Sequence, residues 1–209
     1  TTAATMTMTS GRERTQPIHH ECPHLLWNHR WEYDKAPDRL LGLLDRLTES
    51  GQRFRLSVVG EQFRNQPEAF AAIRERYADR LVNFGFIEHR PRYDQLLAEA
   101  GVVISTALHD FQGLSMLEAM ASGCIPLAPD RLAYPEYVAP RCLYPSYEND
   151  TATEAAAAAR CLQGILASPE CCAAPDDWRA SEVREDYDRI IDSMLERPTS
   201  VFAWPEQFG

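Results

Sequence analysis

HDFQGLSMLEAMASGCIPL, residues 109–127, is a passage from loop to helix to strand. An apolar run, Val102-Val103-Ile104-Ser105-Thr106, precedes it and reads as a buried parallel strand. Leu114, Leu117 and Ala121 recur at helical spacing, Gly123 stops the helix, and Cys124 to Leu127 starts the next strand. Main-chain N–H groups near Gly113 would be unpaired at the helix start, with the positive end of the helix dipole behind them. A glycine there lets an anion approach the backbone closely. Asp110 stands before the helix and Glu118 inside it, about two turns, on the order of 10 Å, apart. The passage therefore offers a phosphate cradle flanked by two hydroxyl acceptors. A diphosphate with a polyol at each end would suit it.

Working outward, strands and helices alternate without hairpin signals. Apolar strands are expected at His24–Asn28, Phe54–Gly60, Leu81–Ile87 and Cys142–Tyr144. Helices are expected from Pro37 with Leu40, Leu43, Leu44 and Leu47 inward, from Pro67 through Tyr77, and around Tyr93 to Ala100. Thr151 and Glu154 form a capping-box pattern before an alanine-rich helix, and a last helix carries Val183, Tyr187, Ile190, Ile191 and Met194. The alternation implies an α/β fold, a Rossmann-like doubly wound parallel sheet. Residues 1–22 are expected to be a linker or disordered leader, 23–197 the folded domain, and 198–209 a tail.

In such sheets ligands bind outside the carboxyl ends of the strands. Arg30 and Lys35 lie on the loop after the first strand, so they join the helix motif at that edge. A forked guanidinium and an ammonium are what phosphoryl oxygens require.

The 209 residues are 44% hydrophobic and 25% charged, ordinary for a soluble globular protein. A net charge of −10 argues against this chain alone gripping a nucleic-acid backbone. No apolar run has membrane-spanning length, so no membrane partner is expected and a cytoplasmic location is the default. The six cysteines show no zinc-ligand spacing, and most read as small buried residues of a reducing compartment.

Arg30-x4-Lys35 and Asp110-x7-Glu118, in this order, resemble the R-x4-K and E-x7-E elements of family 4 retaining glycosyltransferases. The resemblance covers roughly Leu25 to Tyr144 and implies the carboxyl-terminal, donor-binding half of a GT-B enzyme, the amino-terminal half being absent. It implies that Arg30 and Lys35 hold the donor diphosphate, Asp110 touches the sugar and Glu118 binds the ribose. The amides of Phe111, Gln112, Gly113 and Leu114 would face the phosphates, and Gly85, Phe86 and Ile87 the base. Asp110 departs from the family's glutamate by one methylene. Arg30, Lys35 and Asp110 would carry the chemistry, and no metal is needed if two cations and a helix end neutralise the leaving group. WNHRWEYDK, where ordinary members have a Gly-Arg pair, and GCIPLAPDRLAYPE narrow the likeness to the branch that mannosylates queuosine in tRNA. That branch implies GDP-mannose as donor, no other cofactor, and tRNA as an acceptor reached through the missing domain. A hexosyltransferase split in this way would be inactive as the isolated domain. Still open are a lipid, polysaccharide or small-molecule acceptor, a silent nucleotide-binding module, and a hydrolase or epimerase of the nucleotide sugar.

Overall fold

The computed structural model describes residues 19–64, 66–168 and 180–195. The expected tail and residues 1–18 of the expected leader lie outside them, as do Cys171 and Cys172. Within 19–168, six strands form one parallel sheet in the order β3-β2-β1-β4-β5-β6. They are β1 (His24–Trp27), β2 (Arg55–Val59), β3 (Leu81–Gly85), β4 (Val102–Ile104), β5 (Ile125–Pro129) and β6 (Leu143–Tyr144). The helices are α1 (Pro37–Glu49), α2 (Ala69–Arg76), α3 (Arg90–Glu99), α4 (Leu114–Ala121), α5 (Tyr134–Tyr137) and α6 (Thr151–Ala167). The sixteen residues of α7 (Ala180–Leu195) form a separate unit, with Tyr187, Ile190, Ile191 and Met194 exposed.

Parallel strands buried on both faces explain why the strand segments read as continuous apolar runs. Leu25, Leu26, Val102, Val103 and Ile104 are all fully buried. The four leucines of α1 are buried as their spacing requires, and truncating one should cost about 2–5 kcal/mol. The strand order reverses between β1 and β4, which pair directly through Leu25–Val102 and Leu26–Val103. The crevice for a ligand therefore opens between the loops after β1 and β4. Those loops carry Arg30, Lys35 and Asp110.

The capping box expected at α6 does not form. Asp150 is the cap, its carboxylate accepting from the Thr153 amide at 3.0 Å. Glu154 instead turns inward, 1% exposed, onto Arg39 and Arg131. Two buried guanidinium groups outweigh a single amide as partners for one carboxylate. Before β1, the turn His19–Cys22 is tied to α6 by the His20 ring on the Leu166 carbonyl, 2.7 Å away. Among the described cysteines, Cys124 and Cys142 are buried. No described helix is long and apolar enough to cross a membrane.

Candidate functional site

The loop after β1 is held by its aromatic residue. Trp31 is buried, stacks on Phe70 at 4.1 Å between ring centroids, and its amide donates to the Glu61 carbonyl at 2.9 Å. With Trp31 inward, Arg30 is half exposed at the crevice, 3.1 Å from Glu32. Gly60, at the end of β2, passes so close to this loop that a Cβ there would stand 1.8 Å from the His29 carbonyl oxygen.

Lys35 ends a 3-10 turn over Tyr33–Lys35 and is buried. Its Nζ donates to the His109 carbonyl at 2.6 Å and pairs with Asp34 at 3.2 Å and Asp110 at 3.6 Å. The Asp34 carbonyl accepts from the Leu108 and His109 amides at 2.8 and 3.2 Å. The two loops are thus laced together by backbone bonds with an ammonium between them.

Asp110 reaches its own loop. One carboxylate oxygen accepts from the Gly113 amide at 3.3 Å, the other from the Tyr134 hydroxyl at 3.3 Å. Burial, with the charge of Asp110 behind it, pushes the Tyr134 phenol well above its usual range, so it stays a donor. Gly113 has φ 73° and caps α4, and a Cβ there would meet the Tyr137 hydroxyl at 2.3 Å. Only glycine fits. The amides of Leu114 and Ser115, in the first turn of α4, follow at once. Phe111, Gln112 and Leu114 turn their side chains to solvent, Phe111 being 90% exposed.

Glu118 faces a different neighbourhood. Its Oε1 accepts from Arg90 at 2.5 Å, and Arg90 also holds Asp94. The Arg90 guanidinium lies 5.5 Å over the Tyr93 ring, and the Tyr93 hydroxyl accepts from Asn28 at 2.9 Å. Burial, then the neighbouring Glu118 carboxylate, push the Tyr93 phenol above its usual range. A cavity of about 310 Å³ opens here, lined by Arg30, Phe86, Ile87, Arg90 and Tyr93 among others. Phe86 and Ile87 lie past the end of β3, not within it as expected, and so are free to line this cavity. Gly85 stays in the sheet, its carbonyl accepting from the Gly60 amide at 3.3 Å.

The expected residues therefore gather at one sheet edge in two groups: Lys35, Asp110 and Gly113, and Arg30, Phe86, Ile87 and Glu118. The first turn of α4 joins the groups. Sequence reading missed Asn28, Arg90, Tyr93 and Tyr134. Arg90 and Tyr93 stand i, i+3 at the start of α3, but a charge and an aromatic at that spacing mark many helices. His29 adds a buried imidazole, its pKa lowered to about 4 by burial first and the Lys35 charge next, against the pull of Asp110. It is therefore neutral at pH values near 7.

Known proteins resemble this chain in sequence and in fold. The sequence profile of the family "Glycosyl transferases group 1" matches residues 13–159. The tRNA-queuosine alpha-mannosyltransferase of Drosophila melanogaster is 42% identical over 132 residues, covering 63% of this chain and 35% of the relative. The chain thus spans about a third of that relative's length. The pneumococcal O-GlcNAc transferase GtfA, solved with UDP and GlcNAc, superposes with a TM-score of 0.62 at 16% identity, covering 90% of this chain and 38% of that one. Sucrose-phosphate synthase from Thermosynechococcus elongatus gives 0.62 at 20% identity, covering 84% and 47%. At such identities the structural likeness is one of fold, that of part of a GT-B glycosyltransferase. With the profile spanning more than half of it, the chain belongs to the group 1 glycosyl transferases.

Proposed function

We propose that this chain binds the nucleotide-sugar donor of a retaining hexosyltransferase, and that the whole protein moves mannose from GDP-mannose to queuosine in tRNA. The observation that carries the reading is the convergence of Arg30, Lys35, Asp110 and the Gly113 helix start at the crevice between β1 and β4, beside a cavity that Glu118 adjoins. The 42% identity to a tRNA-queuosine alpha-mannosyltransferase supports the choice of donor and acceptor.

In this reading Arg30, half exposed, takes the diphosphate directly, while buried Lys35 supplies positive charge behind it. The Leu114 and Ser115 amides face the phosphates and the α4 dipole adds to the field. Together they stabilise the charge that develops as the sugar–phosphate bond breaks. The acceptor hydroxyl attacks from the face that the diphosphate leaves. Asp110 holds sugar hydroxyls, Glu118 the ribose, and Phe86 and Ile87 flank the base. A net charge of −10 leaves the grip on tRNA to an amino-terminal domain. We place the reaction in the cytoplasm.

The test uses the whole protein, queuosine-containing tRNA and a panel of nucleotide sugars, with the nucleosides weighed by mass spectrometry. A gain of one hexose on queuosine, with GDP-mannose alone, is expected. Residues 1–209 by themselves should bind the donor but transfer nothing, because the acceptor is not held within reach. Transfer only to a lipid or polysaccharide would sink the tRNA assignment.

A further inference from the structure

We propose that Asn28 and Tyr93 are positioning residues that together hold Glu118 in the orientation in which it takes a hydroxyl-bearing ligand. The inference rests on the donor-site reading above, and neither residue belongs to the R-x4-K or x7-E elements.

Asn28 follows β1 and is only 6% exposed. Its Nδ2 gives one hydrogen to the Tyr93 hydroxyl at 2.9 Å and the other to the Ser115 carbonyl at 3.0 Å. Both acceptors fix the orientation of the amide, and its Oδ1 is left buried with no partner among the described residues. An unpaired buried acceptor is unfavourable, and the amide's two donated bonds are what account for it here. One bond pins α4 at Ser115, a single turn before Glu118 on the same helix face. The other occupies a lone pair of the Tyr93 hydroxyl and leaves its hydrogen for an acceptor.

The acceptor we assign to that hydrogen is Glu118, whose charge bears on the Tyr93 phenol. The Arg90 guanidinium sits over the Tyr93 ring and on Glu118 Oε1 at once, so the ring and the carboxylate are neighbours. Burial and the Glu118 charge keep the phenolic proton in place, and Tyr93 remains a donor. Asn28, Tyr93 and Arg90 all line the cavity that Glu118 adjoins. A carboxylate offers about four acceptor directions, so donors from Arg90 and Tyr93 leave room for a vicinal diol. A loosely held Glu118 would keep its charge but lose its aim.

Calorimetric titration of this chain with GDP and with inorganic pyrophosphate tests the assignment. Tyr93→Phe should weaken GDP about three- to tenfold and leave pyrophosphate unchanged, and Asn28→Ala, which also releases Ser115, should weaken GDP more than pyrophosphate. In a Glu118→Gln background Tyr93→Phe should add little, because its target is gone. Thermal melting checks that each variant is folded. The assignment is overturned if Tyr93→Phe leaves GDP affinity unchanged while Glu118→Gln lowers it, an outcome in which the donor-site reading survives. Equal losses for GDP and pyrophosphate, or full additivity with Glu118→Gln, would also overturn it. A wild-type chain that binds neither ligand would overturn the donor-site reading itself, and this inference with it.

Discussion

Arg131 closes two nitrogens on the carboxylate of Glu154, at 2.9 and 3.0 Å, where the residues are 8% and 1% exposed. Arg39 joins at 2.8 Å from the other side. The same Arg131 donates from Nε to the Ala107 carbonyl at 2.8 Å and from Nη2 to the Thr106 carbonyl at 3.2 Å. Those carbonyls belong to the chain leaving β4, just before Asp110. The Thr106 hydroxyl in turn donates to the Lys35 carbonyl at 2.8 Å. One buried carboxylate on α6 thus anchors the path of both loops at the crevice.

Removing that carboxylate should be costly. Glu154→Ala leaves two buried guanidinium groups uncompensated, and a loss of about 3–5 kcal/mol is expected. Urea midpoints with an unchanged slope would measure it. A loss below about 1 kcal/mol would mean that water reaches the network.

Two glycines should differ in what they tolerate. Gly113→Ala meets a tyrosine hydroxyl and a left-handed backbone, and should destabilise by about 2–4 kcal/mol while weakening diphosphate binding. Gly60→Ala meets a backbone carbonyl, which cannot rotate away, and should give no soluble folded chain. Gly60→Ala that expresses and melts like the wild type would contradict the close approach of the two loops.

The two cations should separate binding from stability. Arg30→Ala should lower nucleoside diphosphate affinity about ten- to hundredfold with little change in melting temperature, since the side chain is half exposed. Lys35→Ala should weaken binding less but lower stability by about 1–3 kcal/mol, because Asp34, Asp110 and the His109 carbonyl all lose their donor. Titration calorimetry and melting curves on the same samples decide between the two patterns.

Two buried histidines should make the fold acid-sensitive. His24 and His29 have pKa values lowered to about 4, in both cases chiefly by burial. The unfolded chain takes up these protons near pH 6.5, so between the two values it binds more protons than the folded one. Stability therefore rises with pH through this window and is fully present above it. Going from about pH 7 to about pH 4.5 should remove on the order of 2–3 kcal/mol per histidine. Imidazole resonances that are already protonated at about pH 5.5 in the folded chain would refute the assignment.

The order of elements was legible in the sequence because it depends on local rules. Strand runs, the leucine face of α1, Gly113 before a helical repeat, and the R-x4-K and D-x7-E spacings all lie within short windows of chain. From them came the doubly wound class, the sheet edge that carries the site, and the family resemblance. Tertiary structure alone decided the rest. The capping signature at Thr151 and Glu154 lost to buried arginines more than twenty residues upstream, Arg131 on a loop and Arg39 on α1. Lys35, expected to hold the donor diphosphate with Arg30, lies buried beside Asp110 where the two loops bond through Asp34. Asn28 and Tyr93 meet across 65 positions, and Arg90 at the start of α3 reaches Glu118 on α4. No window contains both members of such pairs. They become neighbours only because β1 and β4 pair at the centre of the sheet and bring their loops and the helices after them to one edge.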